Sequence, residues 1–173
     1  MGKKGEAMAR ECRRVVTGHT PEGKSAVLYD SSVPLLEEDS AGARQEDRAG
    51  AASRVIWTTQ GFPADNDGSS DAASRKVGTS ESDGTIFRIV QYAPGVTARH
   101  HRTNSIDYAV VLSGSIEMEL DSETVQLAAG DLLVQRGTIH NWINNGTDPC
   151  IIAFVLIGAH PATVNAVPLP AVG

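Results

Sequence analysis

The chain has 173 residues, a formal net charge of -6 at pH 7 and a hydrophobic share of 40%. That length suits one domain with a real core. The acidic balance argues against a nucleic-acid footprint or a basic membrane patch.

No stretch approaches the roughly 18 apolar residues needed to span a bilayer. The opening residues carry some basic charge but no apolar run follows, so no secretory signal is expected. Glu6 stands where an acylation motif wants Ser or Thr. Cys12 and Cys150 do not make a disulfide framework. The expectation is a soluble, cytoplasmic protein.

In chain order, residues 1–12 read as a flexible tail. Residues 13–17 and 25–29 can pair as a hairpin across the turn-forming run from Thr20 to Lys24. Residues 37–52, rich in charge and small side chains, read as a loop with room for a short helix. Residues 55–59 read as a strand. Residues 63–83, rich in Ser, Gly and Asp, read as a second loop, and residues 37–83 together are candidates for a lid. These segments form an N-terminal strand extension, 13–83.

From residue 84 the chain reads as strand after strand. Residues 85–92 are apolar and β-rich, and Pro94-Gly95 ends them. Residues 107–112 lead to a turn at Ser113-Gly114. Residues 116–120 alternate apolar and polar, the period of a half-buried strand. Short strands at 125–127, 132–135 and 139–143 follow, and 150–157 is a near-continuous apolar run, as for a strand covered on both faces. The barrel is expected over 84–160, with a tail at 161–173. Short, glycine-punctuated strands predict an all-β sandwich or closed barrel.

Two motifs stand out. Gly95, His101, Asp107 and Gly114 lie at six-, six- and seven-residue steps, with Thr103 two residues beyond His101. Gly130, Gly137, His140 and Asn144 form the second. These resemble the two signature motifs of the cupin superfamily. Asp107 replaces the family's Glu, Thr103 replaces its second His, and the second motif is one residue short and lacks its Pro. The resemblance covers roughly residues 84 to 158. It implies a cupin jelly-roll β-barrel and a homodimer. It also places His101, Asp107 and His140 at the barrel mouth.

Side chains of equal parity share a strand face. His101, Thr103 and Asp107 therefore face one way, as do His140, Trp142 and Asn144. Two imidazoles and a carboxylate can hold a divalent metal such as iron, zinc, nickel or manganese with open positions. The same Asp and His residues can work without metal as general acid and base, or serve only as buried hydrogen-bonded groups. Thr103, Gln135, Trp142 and Gln91 are candidates for the substrate pocket. One of the two sets Phe87, Ile89, Gln91 and Arg88, Val90, Tyr92 lines the cavity. His100 has the opposite parity to His101 and is expected to point away. No nucleotide motif is present, so no nucleotide cofactor is expected.

Cupins include many activities, and fold alone does not choose among them. The expected function is a metal-assisted lyase, decarboxylase or dehydratase acting on a small oxygenated or carboxylated metabolite. The alternatives are a non-haem Fe(II) dioxygenase and a metal-free small-molecule binding protein. A small molecule is the expected partner, with neither nucleic acid nor membrane.

Overall fold

The computed structural model describes residues 11–34, 49–68 and 70–173. Strands β1 (Glu11–His19) and β2 (Ser25–Pro34) form an antiparallel hairpin. Strands β3 (Ala51–Gln60), β4 (Gly84–Tyr92), β5 (Ser105–Ser113), β8 (Leu132–Arg136) and β10 (Cys150–Gly158) build a five-stranded sheet in the order β3-β4-β10-β5-β8. Strands β6 (Ser115–Glu119), β7 (Thr124–Ala128) and β9 (Asn141–Ile143) form a second sheet in the order β7-β6-β9. A two-residue-strand hairpin, β11 (Thr163–Val164) with β12 (Val167–Pro168), ends the chain's regular structure.

The two larger sheets enclose one core. Ile86, Val90 and Tyr92 of β4, Ala109 and Val111 of β5, and Ile152, Phe154 and Leu156 of β10 meet Ile116, Met118, Leu127 and Trp142 from the second sheet. This is the all-β jelly roll that the alternating pattern predicts, because each strand has one apolar face to bury. Strand β5 shows the rule plainly. Ser105, Asp107, Ala109 and Val111 are buried, while Tyr108, Val110 and Leu112 between them are exposed. Strand β10 is covered on both sides, which is why its sequence is apolar without alternation.

The β1–β2 hairpin covers the outer face of the larger sheet at β3, β4 and β10. There Cys12 and Val33 pack on Ile56, Ile89, Ile151 and Ala153. Arg14 fastens the hairpin by a two-pronged ion pair to Asp71, at 2.5 and 2.8 Å. Arg54 adds a hydrogen bond from Nε to the Pro34 carbonyl at 2.9 Å.

Three expectations need correction. The hairpin strands are longer than their apolar residues suggest, because backbone pairing continues through the polar ends. Strand β3 begins at Ala51, so the expected loop over 37–52 loses its last two residues to the sheet. Most of that loop, with its short helix, lies outside the described residues. The third correction is Gln91. It shares its face with Ile89 and pairs with Ile151, both in the outer cluster under the hairpin. The inward set is Arg88, Val90 and Tyr92, so Gln91 does not line the interior. A single 3-10 turn, Ala72–Ser74, interrupts the loop that precedes β4. Among the described residues no helix is long and apolar enough to cross a membrane.

Candidate functional site

The site is built where the two motifs meet. His101 and His140 lie opposite each other in an isolated antiparallel bridge. Each amide donates to the other residue's carbonyl at 3.0 Å. Directly opposed residues send their side chains to the same face. The two imidazoles accordingly lie with ring centroids 4.2 Å apart, and the residues are only 8% and 3% exposed.

Both rings are oriented by the same local device. His101 Nδ1 lies 3.1 Å from the Arg99 carbonyl, and His140 Nδ1 lies 3.1 Å from the Thr138 carbonyl. A carbonyl only accepts, so at His101 the contact favours the tautomer with the proton on Nδ1. His140 has a second option. The Gln135 amide nitrogen is 2.6 Å from the same Nδ1 and can donate to it when that nitrogen is bare. Both neutral tautomers of His140 therefore have a partner, which suits a ring that takes and gives protons. Trp142 stands edge-on to His140 at 5.8 Å and edge-on to Phe154 at 5.8 Å, forming the wall behind the ring. Gly137, at φ +59, allows the turn that brings the chain from β8 back to His140.

Asp107 occupies a different place. It lies in regular β5, between Gln135 of β8 and Leu156 of β10. Thr103, Ser105 and Asp107 share its buried face and form a relay. Thr103 Oγ1 and Ser105 Oγ are 2.8 Å apart, and Ser105 Oγ donates to Asp107 Oδ1 at 2.6 Å. Burial pushes the carboxyl from its ordinary 3.8 up to about 6, against smaller downward pulls from the Ser105 hydroxyl and the Arg88 charge. Gln135, 2% exposed, faces the same interior, and its Oε1 is buried without a hydrogen-bond partner among the described residues. A buried polar atom of that kind marks a place where a ligand or water belongs.

The structure thus turns His101, Thr103, Asp107, Gln135, His140 and Trp142 inward, of which parity grouped His101 with Thr103 and Asp107, and His140 with Trp142. It does not assemble a three-ligand metal set. Among the described residues no group of three or more His, Cys, Asp or Glu side chains is placed to hold a metal ion. The physical reason lies in the strand. The imidazoles project from the bridge outside β5, whereas Asp107 sits within β5, one methylene shorter than Glu and with Oδ1 engaged by Ser105. These residues do not fit the expected metal triad.

Three contributors escaped the motif reading. Ser105 belongs to no nucleophile motif, yet its parity with Asp107 signals its place. Arg88 is a buried cation on the inner face of β4, donating from Nη2 to the Gly78 carbonyl at 2.7 Å. Its parity with Val90 and Tyr92 put it in one of the two candidate lining sets, and no motif gave it a role. Arg99 holds His101 through its backbone, and nothing in its spacing marks it. His100 points outward as expected, 58% exposed, with Nε2 3.1 Å from Glu119.

The Cupin domain family model matches residues 88–157. A cupin-domain-containing oxidoreductase, fogC, of Aspergillus ruber is 37% identical over 88% of this chain and 75% of its own length. Phomopsin biosynthesis cluster protein C' of Diaporthe leptostromiformis is 36% identical over 90% of this chain and 83% of its own. A cupin-domain-containing oxidoreductase, virC, of Hypocrea virens is 30% identical over 90% and 80%. Among solved structures, the polyketide cyclase RemF of Streptomyces resistomycificus aligns over 73% of this chain and 83% of its own with 14% identity and a TM-score of 0.48. The chain belongs to the cupin family.

Proposed function

We propose that the protein is a small-molecule enzyme that works by proton transfer inside its barrel, as a lyase or isomerase on an oxygenated or carboxylated metabolite. The observation that carries this reading is the buried Asp107 carboxyl, with a pKa of about 6, on the same interior as a pair of oriented imidazoles. A carboxyl with that pKa is a proton donor at mildly acidic pH and a base above it, close to the range where general acid–base catalysis is most effective. His140, served in both tautomers, is the second proton-transfer group. Gln135 Oε1 accepts a hydrogen bond from a substrate hydroxyl or N–H. Trp142 and Thr103 bound the pocket. Elimination of water or loss of carbon dioxide fits this set, since each needs one group to take a proton and another to give one. The relatives' names support a small-molecule role, because they include a biosynthesis cluster protein and two oxidoreductases.

An oxidoreductase is the second reading. Those same names and the imidazole pair favour it. Elemental analysis of tag-free protein beside His140→Ala, with oxygen uptake after Fe(II) addition, separates the two. About one equivalent of metal that disappears in the variant, with oxygen consumed, establishes the oxidoreductase. Metal-independent turnover that disappears in Asp107→Asn establishes the proton-transfer enzyme. Saturable ligand binding with no turnover in either assay leaves a binding protein.

The reading also takes the protein to be cytoplasmic and homodimeric, with no nucleic-acid, membrane or nucleotide partner. The free thiols of Cys12 and Cys150 support a reducing compartment. The exposed outer residues Tyr108, Val110, Leu132 and Val134 of β5 and β8 support a face that pairs with a second copy.

A further inference from the structure

Two segments far apart in sequence meet at Arg99, beside His101. The first is residues 76–79, just before β4. Val77 is buried in the main core, the Gly78 carbonyl accepts from Arg88, and the Thr79 hydroxyl accepts from Arg99 Nη2 at 3.2 Å. The second is residues 170–173. Val172 makes a two-bond bridge to Arg102, 2.9 Å each way, and the Pro170 carbonyl accepts from Arg102 Nε at 2.9 Å. Gly173 lies directly on His101. A methyl group built on Gly173 would stand 2.7 Å from His101 Cβ and 2.9 Å from the His100 carbonyl.

Arg99 joins both segments. The Nη2 that reaches Thr79 also reaches the Gly173 carbonyl, at 3.3 Å. Its backbone faces the other way, into the site. The Arg99 amide donates to Asn141 Oδ1 at 2.8 Å, and its carbonyl holds His101 Nδ1. One residue therefore ties the two segments to each other and to the His101 ring.

We propose that Arg99 is a latch, a positioning residue that clamps residues 76–79 and 170–173 beside His101, that the two segments together cover the His101–His140 pair, and that the route into the site opens between them. This rests on the reading that substrate meets the imidazoles. The latch works through charge-assisted hydrogen bonds to a hydroxyl and a carbonyl, both of which water can replace once a segment lifts. The covers belong to the class of segments drawn from the less stable end of a fold: few buried apolar groups, held by a handful of hydrogen bonds. Val77 is the exception and keeps the first segment hinged to the core while its far end lifts.

The test uses the whole chain and needs no substrate. Diethyl pyrocarbonate modifies accessible imidazoles, and mass spectrometry reads each histidine separately. His100, exposed with or without the latch, is the internal reference. Arg99→Met removes the guanidinium. Gly173→Ala forces residue 173 off His101 and leaves the Arg99 side chain itself unaltered. Both should raise the His101 rate relative to His100 by about fivefold or more, a scale consistent with losing a few weak tethers. Arg99→Lys, which keeps a donor, should restore part of the protection. Amide exchange at Val172 should quicken in both opening variants, with the exchange of β10 unchanged. Unchanged His101 reactivity in Gly173→Ala overturns the proposal, as does equal acceleration of His101 and the β10 amides, which would mean general loosening. Turnover that survives Asp107→Asn overturns the proposed chemistry and leaves the latch result standing.

Discussion

The imidazole end and the carboxyl end of the site are built on opposite principles. His101 and His140 are held chiefly by backbone: a two-bond bridge between the residues and a carbonyl beside each Nδ1, with the Gln135 amide added at His140. Asp107 is held by side chains, through the Ser105 and Thr103 hydroxyls. Backbone scaffolding fixes direction and survives substitution of the ring. Hydroxyl scaffolding leaves the carboxyl's charge to be set by burial, which is why Asp107 titrates near 6. One end is fixed by peptide geometry, and at the other burial sets the proton affinity.

The largest effect should come from the carboxyl end. Asp107→Asn keeps shape and the Ser105 hydrogen bond but cannot exchange a proton, so turnover should fall by about 10²–10⁴-fold, the usual worth of a general acid or base. Steady-state rates on the natural substrate check this. Activity within a few fold of wild type would remove Asp107 from the chemistry.

Trp142→Ala tests the wall behind His140. Deleting a buried indole that packs on Phe154 and Tyr92 should cost about 3–5 kcal/mol of stability. Urea denaturation measures it. His140→Ala should cost much less, because the bridge to His101 uses only backbone atoms. A collapse of His140→Ala comparable to that of Trp142→Ala would make the ring structural and erase the contrast between the two ends.

Stability against pH sharpens the comparison. A carboxyl whose folded pKa lies above its unfolded one binds its proton more tightly in the folded state. Ionising Asp107 therefore weakens the fold. Stability should fall as pH rises from the unfolded value of 3.8 through the folded value of about 6 and stay lower above it. The loss is of the order of 3 kcal/mol. Asp107→Asn should abolish that slope and be the more stable protein at pH 8, a gain in stability beside the loss of activity. Thermal melts of both proteins at pH 5 and pH 8 decide it.

The smallest effect belongs to the relay. Ser105→Ala removes the hydroxyl that pulls the Asp107 pKa down. The acidic limb of the pH–rate profile should then move upward by about one pH unit or less, with a stability change of about 1 kcal/mol. No movement of that limb would mean that Ser105 does not set the proton affinity of Asp107.

Much of this molecule was legible in the sequence. Strand β5 shows its buried face in the alternation of residues 105–112, and β10 shows its double burial in an unbroken apolar run. The family resemblance carried by Gly95, His101, Gly137 and His140 implied that the two histidines meet at the barrel mouth. Parity put Thr103 with Asp107, and Gln135 points inward as read. Parity failed to decide β4, because both of its faces are covered and both of its residue sets are apolar enough to be inside. Gln91 lies on the hairpin side, although its parity with Ile89 left either face open.

The sequence by itself determined the fold class, the two motif strands and the residue types at the site, since periodicity and glycine turns are local physics. Only the tertiary structure decided that the imidazoles pair while Asp107 stays with its hydroxyls. It alone brought Thr79 and Gly173 together at Arg99. These contacts join residues up to 74 positions apart. Such distant partners are chosen by how the sheets close, and no local pattern records that choice.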